Sequence, residues 1–221
     1  MSDSAAKGYE YTSINPSDRV SFVGRTGTGK TYAARSLCSS LIRLVVFDAK
    51  GKLAKKFAPE WRLTDWTDPN GDLGNTFRVR VPAPFDGNWE PYYWRIYEEE
   101  NVTLFIDEAY GVTEGSDPTP GLRALVTRGR ELGIGVWSAT QRPAGIPLIL
   151  LSESDWFFMF QLRLDTDKRR MAEFLGDFAY APLKGHNVIV YNDGWPTPVP
   201  LPELNIISKS NKIPEFKRGL G

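Results

Sequence analysis

Short apolar runs recur along the chain at 19–23, 44–48, 77–81, 102–106, 135–139, 155–161 and 187–191. Their length and their β-branched and aromatic content predict strands. Helices are predicted between several of them, over 30–40, 52–57, 90–99, 119–131 and 166–175. Strands alternating with helices in this way predict an α/β fold, with a mostly parallel central sheet covered by helices on both faces. The pattern fades at the ends. Residues 1–17 are polar and read as an N-terminal arm, with the ordered domain over 18–192. Residues 193–221 hold the proline-rich stretch "GWPTPVPLPEL" and then a basic run. Proline cannot donate to a ladder, so this part is expected as an extended strap or tail.

Composition removes several function classes. The chain has 221 residues and zero formal net charge, with one cysteine and one histidine. Cys38 alone excludes a disulfide framework and any cysteine-rich metal site, and it is expected simply to pack in its helix. His186 alone argues against histidine-based metal or triad chemistry, and its polar turn reads as surface. No window approaches a membrane span and no signal peptide is visible. Zero net charge gives no bulk attraction to nucleic acid. Local basic clusters exist: Lys52, Lys55 and Lys56 share one face if helical, and "RLDTDKRR" and "KSNKIPEFKR" are basic too. Each reads alternatively as a solvated face. The aromatic stretch "NWEPYYWRIYEEE" has two readings, bases stacked on its rings or core and subunit contact.

The chemistry is concentrated after the first apolar run. Val20 to Val23 leads straight into Gly24, Arg25, Thr26, Gly27, Thr28, Gly29, Lys30 and Thr31, followed by Tyr32 and a helical stretch. Strand, glycine loop and helix form the context of a phosphate-binding loop. Glycines let the backbone wrap a phosphate with its N–H groups inward, and the helix N-terminus adds partial positive charge. Lys30 would reach the β- and γ-phosphates, and Thr31 would place its hydroxyl on Mg²⁺. Further on, "VTLFIDEAY" is an apolar strand ending in Asp107 and Glu108. Asp107 fits the carboxylate on the Mg²⁺ side, and Glu108 is the candidate general base for an attacking water. A base-reading Asn-Lys-x-Asp is missing, which disfavours a switch GTPase. Gln141 stands where the strand over 135–139 empties onto the phosphate site, placed to sense a γ-phosphate or orient water.

Together the phosphate loop 24–31, Asp48-Ala49-Lys50-Gly51, Asp107-Glu108, Gly129-Arg130 with Leu132-Gly133, and Ala139-Thr140-Gln141-Arg142-Pro143 resemble the FtsK–HerA superfamily of DNA-pumping ATPases. The resemblance spans about residues 18 to 175. It implies a RecA-like αβα domain that binds ATP and Mg²⁺ and assembles as a homo-oligomeric ring, expected to be hexameric, around double-stranded DNA. A bare motor core of this kind looks like the genome-packaging ATPases of tailless icosahedral, double jelly-roll viruses. That implies a place in the host cytoplasm or on the virion, with a capsid or portal-vertex protein as a further partner. The same resemblance implies a trans arginine finger, for which Arg128, Arg130, Arg142, Arg163 and Arg169 are the candidates. Lys52, Lys55 and Lys56 are the leading candidates for DNA contact. The alternatives are a cellular HerA-like translocase or helicase, an assembly ATPase resembling the zonula occludens toxin-like proteins, and a small-molecule kinase.

Overall fold

Five consecutive buried residues, Arg19 to Val23, form a strand with no exposed position, which requires cover on both of its faces. The structure is a computed structural model that describes residues 9–53, 63–113, 117–202, 204–207 and 215–219. In chain order it runs β1 (Tyr9–Ser13), β2 (Arg19–Val23), α1 (Lys30–Cys38), β3 (Arg43–Asp48), β4 (Thr64–Asp65), β5 (Phe77–Pro82), α2 (Glu90–Glu99), β6 (Thr103–Asp107), α3 (Tyr110–Thr113) and α4 (Pro120–Arg128). It continues with β7 (Gly135–Thr140), α5 (Leu148–Ser152), β8 (Trp156–Met159), α6 (Asp165–Leu175), β9 (Val188–Asn192), β10 (Val199–Leu201), β11 (Asn205–Ile207) and β12 (Glu215–Gly219). Short 3₁₀ turns follow α4, β7 and α6.

Among the described residues the main sheet has nine strands in the order β10-β9-β8-β2-β7-β6-β3-β5-β4. From β8 to β4 every pairing is parallel, while β9 and β10 add antiparallel to the far edge. The α/β expectation holds. Side chains alternate between two cores. Val45 and Phe47 point to the core covered by α2, α4, α5 and α6, whereas Leu44 and Val46 point to the core under α1. α1 buries Ala33, Ala34, Leu37 and Cys38 at the spacing of one helix face. On that side α1 is joined, among the described residues, by Leu53 and by a second sheet. Residues 9–13 and 215–219, from the stretches read as arm and tail, pair with each other, and β11 completes a three-stranded sheet. From it Phe216, fully buried, meets Trp156 and Phe158 edge-on.

The stretch "NWEPYYWRIYEEE" forms core. Trp89, Tyr92 and Tyr93 close around Phe47, with Trp89 stacked at 4.5 Å between ring centroids. Glu90 turns its carboxylate onto the first turn of α4, accepting Gly121 N–H at 2.8 Å. A Cβ at Gly121 would stand 2.7 Å from that of Tyr93, so the two helices cross where only glycine fits. Of the helix expected over 52–57, only Lys52 and Leu53 are described; Lys55 and Lys56 lie outside the described residues.

Candidate nucleotide site

The parallel strands all end at one edge. Asp48, Asp107 and Ala139 stand in register across β3, β6 and β7, and Thr140 is aligned with Val23 at the end of β2. The glycine loop therefore opens beside the carboxylates, at the carboxyl ends of the strands where α/β sheets place their ligands. Gly27 and Gly29 take φ of +82° and +102°, a region that costs other residues strain. Gly24 sits so near β8 that a Cβ would approach that of Phe160 to 2.7 Å. The loop is pinned at both sides, by Gly24 N–H on Thr140 O at 3.2 Å and Arg25 N–H on Gln161 O at 2.8 Å.

Lys30 opens α1 and is only 7% exposed. Its ammonium donates to Arg25 O across the loop at 2.9 Å. Burial lowers its pKa to about 8, against the pull of Glu108 and Asp107, which favour the charged form. Thr31 Oγ1 lies 3.5 Å from Asp107 Oδ1, so the expected metal-side hydroxyl and carboxylate meet.

Glu108 follows with φ of +66°, a backbone a glutamate adopts only where its surroundings enforce it. Its carboxylate accepts from Gln141 Nε2 at 2.6 Å, from Gln141 N–H at 3.3 Å and from Lys50 Nζ at 2.7 Å. Gln141 Oε1 in turn accepts from Thr26 Oγ1 at 2.5 Å. An unbroken chain thus runs from the glycine loop through Gln141 and Glu108 to Lys50. Sequence reasoning missed the role of Lys50. The Asp-x-Lys-Gly stretch explains itself in three dimensions. Asp48, fully buried, accepts Lys52 N–H and Leu53 N–H at 3.1 and 2.9 Å and the Arg80 guanidinium at 3.1 Å. That turn, with Gly51 at φ +63°, presents Lys50 to the end of the neighbouring strand. The available signal was the lysine two residues after a strand-ending aspartate.

These groups surround a cavity of about 330 Å³, with Tyr32, Lys52 and His186 also on its wall. An apolar recess of about 300 Å³ adjoins it, formed by Tyr32, Ala33, Phe160, His186 and Leu204 with Gly29. His186 is exposed, as expected of its turn, but the turn brings it over the glycine loop, which no local pattern indicated. The arginine candidates divide. Arg142 and Arg163 stand beside Gln141 and Thr26, on a second cavity. Arg128, over the ring of Tyr97, and Arg130, paired with Asp155 at 2.7 Å, precede β7 and so lie toward the opposite end of the sheet. Arg169 donates to Asp165 O within α6. Among the described residues, no group of three or more His, Cys, Asp or Glu could hold a metal by itself.

Parallel strands, a glycine loop opening α1 and an acid pair at the next strand but one define a P-loop NTPase fold. No protein-family model matches the chain. It is 26% identical over 171 residues to the DNA packaging ATPase P9 of Enterobacteria phage PRD1, covering 73% of this chain and 71% of P9. Its fold is similar to that of the genome packaging NTPase B204 from Sulfolobus turreted icosahedral virus 2 in complex with AMPPCP, with a TM-score of 0.69, 22% identity, and 85% and 98% of the two chains covered. It is also similar to the cytoplasmic domain of the Thermomonospora curvata type VII secretion ATPase EccC, with a TM-score of 0.54, 16% identity, and 94% of this chain covered against 26% of EccC. The resemblance to FtsK–HerA-type viral packaging ATPases is borne out by the likeness to P9 and B204.

Proposed function

We propose that this protein hydrolyses ATP to drive double-stranded DNA in viral genome packaging. The observation that carries the reading is the hydrogen-bonded chain Thr26–Gln141–Glu108–Lys50, which ties a carboxylate base to the loop that would hold the γ-phosphate. The site suits a triphosphate: left-handed glycines open the loop, and the Lys30 ammonium has three donors with one on a loop carbonyl. It suits Mg²⁺ as well, since the Thr31 hydroxyl and the Asp107 carboxylate form the hard oxygen set that this ion takes alongside phosphate and water. Bound there, Mg²⁺ would neutralise charge on the β- and γ-phosphates. Lys30 would bind the phosphate oxygens as they gain charge. Glu108, aimed by Lys50 and Gln141, would accept the proton of the attacking water. Gln141 touches both the base and the loop, so its amide would report whether the γ-phosphate is present.

A likeness to P9 in sequence and to B204 in fold supports the packaging role. In this reading the chain works as a homo-oligomeric ring, hexameric by the family resemblance, in the host cytoplasm or on the virion, beside a capsid or portal-vertex protein. Among the described residues no helix is long and apolar enough to cross a membrane. A chain of zero net charge has no long-range pull on DNA. A ring multiplies one small basic patch and points its copies at one axis. Lys52, Lys55 and Lys56 are the proposed patch, and the stretch 163–170 the second. Lys52 also borders the nucleotide cavity, so one turn would feel both ligands.

The test is ATP turnover with and without duplex DNA across a salt series. Turnover should rise with DNA of any sequence, and the stimulation should fade steeply as salt increases. Hydrolysis that ignores DNA at every salt concentration would remove the motor reading and leave a plain ATPase.

A further inference from the structure

A second cavity of about 420 Å³ lies against the nucleotide cavity, and the two share Thr26 and Gln141 as a common wall. The bond from Thr26 Oγ1 to Gln141 Oε1, 2.5 Å long, closes that wall. On the far side stand Arg25, Arg142 and Arg163, facing one carboxylate, that of Asp167. Asp167 is 2% exposed and already engaged. It accepts Arg142 Nε at 3.2 Å and Ala144 N–H at 3.2 Å. The side chains of Arg25 and Arg163 make no ion pair or hydrogen bond among the described residues. Three guanidinium groups against one committed carboxylate leave an excess of positive charge in a concave space. Guanidinium forks match phosphate oxygens, and a free phosphate would satisfy donors that the protein leaves open.

We propose that this arginine-lined chamber is a phosphate-binding subsite that receives the inorganic phosphate cleaved from the nucleotide, with the Thr26–Gln141 contact as its gate. The inference rests on the hydrolytic reading of the neighbouring site. Gln141 stands in the wall that the two cavities share, so turning its amide would open a way from the nucleotide cavity to the arginines. Turning the Gln141 amide breaks its bonds to Thr26 and to Glu108 in one movement. Opening the gate therefore also removes one of the bonds that aim the base, while Lys50 Nζ and the Gln141 N–H still hold its carboxylate.

The experiment titrates inorganic phosphate onto the full chain, nucleotide-free and loaded with MgADP, and follows phosphate by ³¹P line broadening. Wild-type protein holding MgADP should still bind phosphate. Arg163→Gln should weaken that binding by roughly tenfold, the scale of one lost charge-assisted bond, and Arg163→Lys should recover part of it. Arg25→Gln provides the same measurement should Arg163→Gln fail to fold. Phosphate affinity unchanged in the arginine variants overturns the proposal. Displacement of the phosphate by duplex DNA overturns it too, because the chamber would then belong to the DNA backbone. A wild-type protein that binds phosphate but not MgADP would sink the nucleotide reading, while the loss in Arg163→Gln would still mark the arginine site.

Discussion

The two ends of β2 each carry a buried cation, and the two are held in opposite ways. Arg19 opens the strand and is 2% exposed. Its guanidinium donates to the carbonyls of Ser17, Leu125, Val126 and Ile134 at 2.8 to 3.3 Å, and its own N–H is held by Asp155 at 2.7 Å. Burial, and then the nearby Arg130, lowers its pKa to about 10, still well above neutrality. Lys30, past the other end, has three donors and a single carbonyl partner, Arg25 O. Both pay for desolvation. Arg19 recovers it by tying the start of the sheet to the end of α4, whereas Lys30 is left with donors that only a ligand would use. The difference separates a structural charge from a binding one more surely than burial does.

The largest expected effects exchange these roles. Lys30→Ala should abolish nucleotide binding in a titration while leaving the thermal midpoint equal or higher, because an under-paired buried charge is removed. Arg19→Ala should orphan several buried carbonyls and cost about 3 kcal/mol or more in denaturant unfolding. Equal destabilisation by the two changes would erase the contrast. Next in size, Glu108→Gln should bind ATP normally and turn over roughly 10²–10⁴-fold more slowly, as expected for loss of a general base. Lys50→Met should fall between it and wild type, since Lys50 only aims the carboxylate. A shift in the pH profile of turnover for Lys50→Met, with ATP affinity retained, distinguishes aiming from folding.

The lysine also makes the contrast depend on pH. Its folded pKa, about 8, lies below the ordinary value of 10.5. Below pH 8 both folded and unfolded chains carry the charge, and the folded state bears the cost of burying it. Between about 8 and 10.5 the unfolded chain binds more protons, so this group makes stability rise with pH. Nucleotide affinity should move the other way, since the phosphates need the ammonium. It should start to fall above about pH 8, approaching tenfold per unit, by calorimetry in matched buffers. Arg19 stays charged through most of that range, so the far end of the sheet supplies no compensating change.

How much of this could be read beforehand follows the same division. The strand over 19–23 and the helix over 90–99 were legible because an apolar run or a one-faced repeat is a local property. So was the glycine loop, whose chemistry is contiguous. Lys50 was legible as part of a motif but not in its role, which depends on β3 lying beside β6; strand order is not written in either segment. The edge of the sheet was hidden for a different reason. Pro200 argues against a strand, yet among the described residues β10 is an edge that pairs only with β9, where a missing N–H can face away from the ladder. His186 belongs to a turn far along the chain and reaches the loop only because β9 returns antiparallel beside β8.

That turn leads to the smallest effect and the finest test. The recess beside the glycine loop is bounded by Tyr32, Ala33, Phe160, His186 and Leu204, and its walls are largely apolar or aromatic. Tyr32, 62% exposed, and His186, also exposed, have faces available to a planar ring. A nucleotide whose phosphates fill the loop would have its base near this recess, held by stacking. Stacking on one aromatic side chain contributes about 1 kcal/mol at the low end of the measured range, roughly fivefold in affinity. Tyr32→Ala and His186→Ala should therefore each weaken ATP binding by roughly fivefold, while inorganic tripolyphosphate, which has no base, should bind the variants and wild type alike. Because the recess offers few hydrogen-bond donors or acceptors, ATP and GTP should lose affinity together. A loss shared by tripolyphosphate would mean that the substitutions had disturbed the glycine loop, and a loss confined to ATP would mean that a polar contact reads the base. Only an equal loss for both nucleotides, with tripolyphosphate spared, fits a phosphate end held by charge and a base end held by ring contact.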